Sequence, residues 1–259
     1  MSRQVGFTLI ELIMVVVILS IVSVLGGRFI VSTMTAYVEV EQRTTLLNYS
    51  HQAVEKMTRV LRTALPYSLR LTNNNQCLEF LPIISAGHYR NPVPDASNNA
   101  AASGAGRPLI TAPYRLADSH TPLYMVIGAA SADELYGAMT ASLALVKSQT
   151  PTTVTLAAEK RWQRNSIAHR FFLVGSAQAF CLLNNELRFY QQQLLARDSV
   201  DIDADYILLA HNGRTTGDAL FSISQANADR NVRIVVDIAF VQGNQRIDFN
   251  QEVVLRNVP

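Results

Sequence analysis

GFTLIELIMVVVILSIVSVLGG, residues 6–27, decides how this chain is read. From residue 7 to residue 27 the only charged side chain is Glu11. A helix of about 20 apolar residues is long enough to cross the hydrocarbon core of a bilayer. Glu11 is the anomaly, because an acid inside a membrane helix costs roughly 2.5–3.5 kcal/mol on insertion scales. Something must offset that cost. The plain alternative is an ordinary single-span anchor with Glu11 beside the headgroups, but insertion cost alone leaves Gly6 and Phe7 unexplained.

Toward the N-terminus, the order of features is wrong for a secretory signal. A short leader, MSRQVG (residues 1–6), precedes the apolar run, and no small-residue cleavage site follows it. Arg3 is expected to hold the N-terminus in the cytoplasm. The remainder would then lie on the far side, in the periplasm of a Gram-negative host.

Toward the C-terminus, no proline occurs before Pro66. Past Arg28, Ile30, Met34, Tyr37, Val40, Leu47, Val54, Met57, Leu61 and Leu65 recur at spacings of three, four or seven, an amphipathic helical stripe. Glu55 and Arg59 have the favourable i,i+4 order. The spacing predicts one helix over 7–65, about 85–90 Å long at 1.5 Å per residue. Its stripe is expected to lie on a globular domain. Gly26-Gly27 is the expected weak point, since each glycine costs about 1 kcal/mol in a helix.

Beyond Pro66 the period changes. Runs rich in β-branched and aromatic residues occupy 77–84, 123–127, 152–157, 170–174, 179–183, 186–190, 206–210, 220–223, 232–241 and 246–255. Turn signals such as Asn184-Asn185 and Gly243-Asn244 separate many of them, and the last two runs read as a hairpin. A helix is predicted over 132–145, with Ser131 and Glu134 as a capping box. Residues 85–108 carry little apolar content and no period, and read as a mobile loop within the domain. The predicted class is α+β: a long N-terminal helix, transmembrane then amphipathic, packed on a mostly antiparallel β-sheet domain. The predicted divisions are 1–6, 7–27, 28–65 and 66–259.

Composition narrows the function. The 259 residues are 49% hydrophobic with a net charge of +2, which argues against a dedicated nucleic-acid binder. Cys77 and Cys181 are the two cysteines. In an exported chain they read as a disulfide on compartment alone, the alternative being two buried thiols.

Asp198, Asp201, Asp203 and Asp205 could offer oxygen ligands to calcium, but an EF-hand would need glycine at Tyr206 and glutamate at Asn212. A solvated acidic turn is the simpler reading. Residues 159–170 are basic around Trp162, which could stack on a base; a Trp162 packed inward is the simpler reading. The histidines His51, His88, His120, His169 and His211 show no tight ligand spacing, and no nucleophile elbow or P-loop occurs. No catalytic set, metal site or cofactor is expected.

Gly6-Phe7-Thr8-Leu9-Ile10-Glu11 followed by the apolar run resembles the prepilin signature of type IV pilins and type II secretion pseudopilins. The resemblance implies that a prepilin peptidase cuts between Gly6 and Phe7 and methylates the new amine of Phe7. It implies that Glu11 pairs with the amine of Phe7 in a neighbouring subunit. The segments VEKMTRVLRTALPYSLRL (54–71), CLEFLPI (77–83), HRFFLV (169–174), AFCL (179–182), ELRFY (186–190) and FNQEVVLRNVP (249–259) are similar to the large O-type minor pilins of the mannose-sensitive haemagglutinin (MSHA) pilus. That implies a non-enzymatic subunit near a pilus tip. Its implied partners are other minor and major pilins, the prepilin peptidase and an inner-membrane assembly platform. A J-type minor pseudopilin and a tip adhesin or DNA-capture module are the competing readings.

Overall fold

Helix α1 runs unbroken over Leu9–Leu61. The structure is a computed structural model and describes residues 8–255 except 99, 101–103, 105, 117–122, 139, 218 and 225–230. Gly26 and Gly27 are helical, and a Cβ at either would meet nothing within 4 Å. The helix stops at Leu61 rather than 65 because the next residues bond to a strand segment. Leu65 N–H donates to Leu81 O and Ile83 N–H to Thr63 O, both at 2.8 Å. Leu65 is extended at φ −69° and ψ 122°, as the ring of Pro66 requires. A 3-10 turn, Pro66–Ser68, follows.

The chain divides into two units, Met1–Asn48 and Tyr49–Pro259. In the first, the described residues are helical from Leu9 onward, and Ile30, Met34, Tyr37 and Val40 are all exposed. The predicted stripe is therefore buried only in the second unit, at Val54, Met57, Leu61 and Leu65. There the helix lays Tyr49 edge-on against Phe240 and His51 against Phe249.

The second unit holds fifteen strands among the described residues. They are β1 (Arg70–Thr72), β2 (Cys77–Phe80), β3 (Ile83–His88), β4 (Leu109–Ile110), β5 (Tyr124–Val126), β6 (Leu143–Thr150), β7 (Thr153–Leu156) and β8 (Arg170–Val174). Then come β9 (Ala177–Leu183), β10 (Glu186–Gln193), β11 (Ile207–Ala210), β12 (Gly213–Thr215), β13 (Phe221–Ser224), β14 (Val232–Gln242) and β15 (Gln245–Leu255). One sheet has the order β1-β2-β9-β10-β11 and another β3-β8-β5-β6-β7-β4; in the third, β14 pairs with β12 and β13 along one edge and with β15 along the other. Every ladder among the described residues is antiparallel. The class is α+β, as the sequence predicts.

Turn chemistry sets the register. Asn184 and Asn185, at φ 52° and 64°, join β9 to β10 in the two-residue loop that needs two left-handed residues. Gly243, at φ 57°, opens the two-residue loop of the predicted β14–β15 hairpin.

Two predictions are corrected. Residues 132–145 are not a helix: a 3-10 turn, Ala132–Glu134, is followed by β6, which pairs with β5 and β7. Ser131 makes no side-chain cap, and the Glu134 carboxylate is committed elsewhere, to Arg164 and Ser142. Residues 85–108 are not a loop throughout: β3 extends to His88, Tyr89 and Val93 are buried, and Tyr89 bridges to Thr111. Their apolar content is low, but the large apolar side chains they do carry, Tyr89 and Val93, are buried.

Candidate assembly site

Within Leu9–Leu61 the most apolar window has a mean hydropathy of 2.8 and none of it is buried. By length and composition this helix can cross a membrane. Two of its hydroxyls are satisfied on the helix itself: Ser20 Oγ–H donates to Val16 O at 2.7 Å and Thr33 Oγ1–H to Phe29 O at 2.8 Å. Such back-bonding removes the cost of placing a hydroxyl in hydrocarbon.

Glu11 has no such relief. It stands in the first turn of α1, where its N–H donates to Thr8 O at 3.1 Å. Its carboxylate is exposed and makes no ion pair or hydrogen bond among the described residues. The helix dipole favours a negative charge there by about 0.3–1 kcal/mol, less than the cost of inserting it. A cation about 4 Å away supplies roughly 4 kcal/mol at an effective dielectric of 20, enough to offset insertion. Gly6 and Phe7, the sequence-predicted cleavage and methylation residues, lie outside the described residues.

Cys77 and Cys181 are opposite each other on β2 and β9 and form a disulfide, with Cα atoms 4.1 Å apart. The bridge spans 104 residues of sequence and lies in a buried cluster with Ala179, Tyr190 and Val200.

The other singled-out residues form braces. Trp162 is 2% exposed and packs with Tyr89, Leu109, Val154 and Phe171, so it is not a surface stacking platform. Asp201 pairs with Arg197 at 2.7 Å, and its N–H donates to Gln193 Oε1. Among the described residues no three of His, Cys, Asp and Glu are grouped to hold a metal. His51 and His169 lie against the rings of Phe249 and Tyr89, and His211 Nδ1 is 3.6 Å from Glu186. His120 lies outside the described residues.

Three polar clusters escaped the sequence reading. Asp95 accepts from Ser97 N–H and Oγ–H, from Asn98, and from Asn165 N–H and its side-chain amide. Ser97 and Asn165 hold its carboxyl well below the usual carboxylate range. The Asp-x-Ser spacing of an Asx turn was its only sequence signal. Glu134 receives both Arg164 guanidinium nitrogens, at 2.7 and 2.9 Å, and Ser142 Oγ–H at 2.6 Å. Burial pushes the Glu134 carboxyl up, but these donors outweigh it and hold the group low. Glu79 is buried against Arg70, 2.7 Å away, which also donates to Arg197 O and stacks 3.8 Å over Tyr136. Burial raises the Glu79 carboxyl, and Arg70 offsets this only in part. Each cluster ties distant segments together.

Comparison with known proteins agrees with the helix. Residues 1–26 match the family model described as the prokaryotic N-terminal methylation motif. This match supports a type IV pilin-like protein. No curated protein and no solved structure matches the chain.

Proposed function

We propose that the chain is a non-enzymatic minor pilin of an MSHA-like type IV pilus, of the large O type, that helps initiate or cap assembly at or near the tip. The observation that carries this reading is Glu11: a lone carboxylate in an otherwise apolar, exposed stretch of helix, without a partner among the described residues. Prepilin peptidase cuts between Gly6 and Phe7, and the methylated amine of Phe7 in an adjoining subunit meets Glu11. Head-to-tail packing of such helices produces an open helical filament rather than a closed ring. Ile30, Met34, Tyr37 and Val40, exposed within the first unit, are then covered by neighbouring pilins.

The subunit is held in the inner membrane by one span, with its β-rich part in the periplasm, and later stands in the pilus at the cell surface. The Cys77–Cys181 bridge supports an oxidising compartment for that part. Major and minor pilins and the inner-membrane assembly platform are its partners.

Two measurements test the reading. Mass spectrometry of the chain made beside its prepilin peptidase should find an N-terminus at a methylated Phe7; a chain retaining residues 1–6 refutes it. Glu11→Ala should sharply reduce surface pili. If export of folded proteins fails instead while pili are normal, the J-type pseudopilin reading replaces this one.

A further inference from the structure

The acidic stretch 198–205 and the strand after it play no part in the assembly reading. Among the described residues β11 is the outer strand of its sheet and pairs only with β10. Ile207 lies opposite Phe189 and Leu208 opposite Arg188, so the two side chains point to opposite faces. Both stay in water: Ile207 is 39% exposed and Leu208 38%. Beside them Tyr206 is 42% exposed and Ile202 39%. An apolar edge open along its backbone and on both faces is a template for another strand.

The contrast with β15 is informative. That strand is also outermost, but it is guarded by charges: Arg246 and Asp248 are 2.9 Å apart, and Glu252 pairs with Arg233 at 3.5 Å. From Tyr206 to Ala210 there is no charge at all. The acids sit at one end of the open strand. Asp201 is held by Arg197, whereas Asp203 and Asp205 are exposed and have no cationic partner among the described residues.

The geometry points to β11 as a strand-addition site for an extended apolar segment of another protein, one that carries a basic residue just past its C-terminal end. Antiparallel pairing is the more stable mode. It brings the C-terminal end of the incoming strand beside the N-terminal end of β11, where Asp203 and Asp205 wait. Main-chain hydrogen bonds supply affinity, and the alternating side chains supply selectivity. This inference stands on β11 alone and does not need the assembly reading.

The test uses the full chain in detergent micelles and a labelled peptide of alternating valine and threonine ending in lysine and arginine. Saturable binding is expected. Moving the basic pair to the N-terminal end of the peptide should weaken it about two- to fivefold, the size of exposed charge pairs. Asp203→Asn with Asp205→Asn should erase that difference. Leu208→Lys should cost at least about tenfold, as loss of a central contact does. Ile207→Thr with Leu208→Thr, which retains strand formers, serves if the lysine variant does not fold. A peptide methylated on its backbone nitrogens should not bind. Undiminished binding by the Leu208 variants or by the methylated peptide overturns the proposal. So does self-association of the chain through β11 with no peptide binding.

Discussion

At the scale of single residues, Glu11 carries the most consequence because no described residue neutralises it. Glu11→Gln keeps the shape and removes the charge. It should leave the chain in the membrane yet lower pilus number nearly as far as Glu11→Ala, counted by electron microscopy. Trp162 separates volume from polarity. It is buried, and its Nε1–H finds no hydrogen-bond partner among the described residues. Trp162→Ala should cost about 3–5 kcal/mol of unfolding free energy in urea. Trp162→Phe should cost much less, because it also removes a buried N–H without a partner.

Glu134 and Glu79 respond to pH with opposite signs. The folded-state pKa of Glu134 is lowered, so its stabilisation is present above about pH 4 and lost as pH falls through the folded value. That of Glu79 is raised, so its contribution is greatest in acid and declines as pH rises through the folded value. Glu134→Gln should therefore flatten the acid limb of a stability–pH profile, and Glu79→Gln should flatten the decline above it. Urea midpoints across the acid range measure both.

At the scale of elements, the glycines and the disulfide make separate predictions. Gly26→Ala with Gly27→Ala meets no steric obstacle and replaces two poor helix formers, worth about 1 kcal/mol each. Amide exchange in micelles should slow around residues 26–27. Removing the bridge with Cys77→Ala and Cys181→Ala should lower unfolding free energy by about 2–5 kcal/mol, read from urea titration of the membrane-extracted chain.

Elements were legible where local chemistry agrees with the fold. The Asn184-Asn185 turn and the β14–β15 hairpin are both present in the structure. The missed elements are those decided by partners. Residues 132–145 carry a capping pattern, yet Arg164, distant in sequence, claims Glu134, and Ser131 makes no side-chain cap. The short strands β1, β4 and β12 have two or three residues each, too few to show a period.

At the scale of the whole molecule, the long apolar helix and the match over residues 1–26 are consistent with a membrane-anchored subunit. The full chain should sediment with membranes through a high-salt wash and be released by detergent. Sequence alone determined the long apolar helix, the isolated acid within it, the α+β class and the hairpins. Each is encoded by neighbours a few residues apart, through hydrophobic period, missing charge or turn stereochemistry. The tertiary structure alone decided that Cys77 faces Cys181, that Trp162 turns inward, that Asp95, Glu134 and Glu79 become braces, and that β11 is left open. Those outcomes depend on which strands become neighbours, and pairing across scores of residues is chosen by the total burial and hydrogen bonding of the domain rather than by any local pattern.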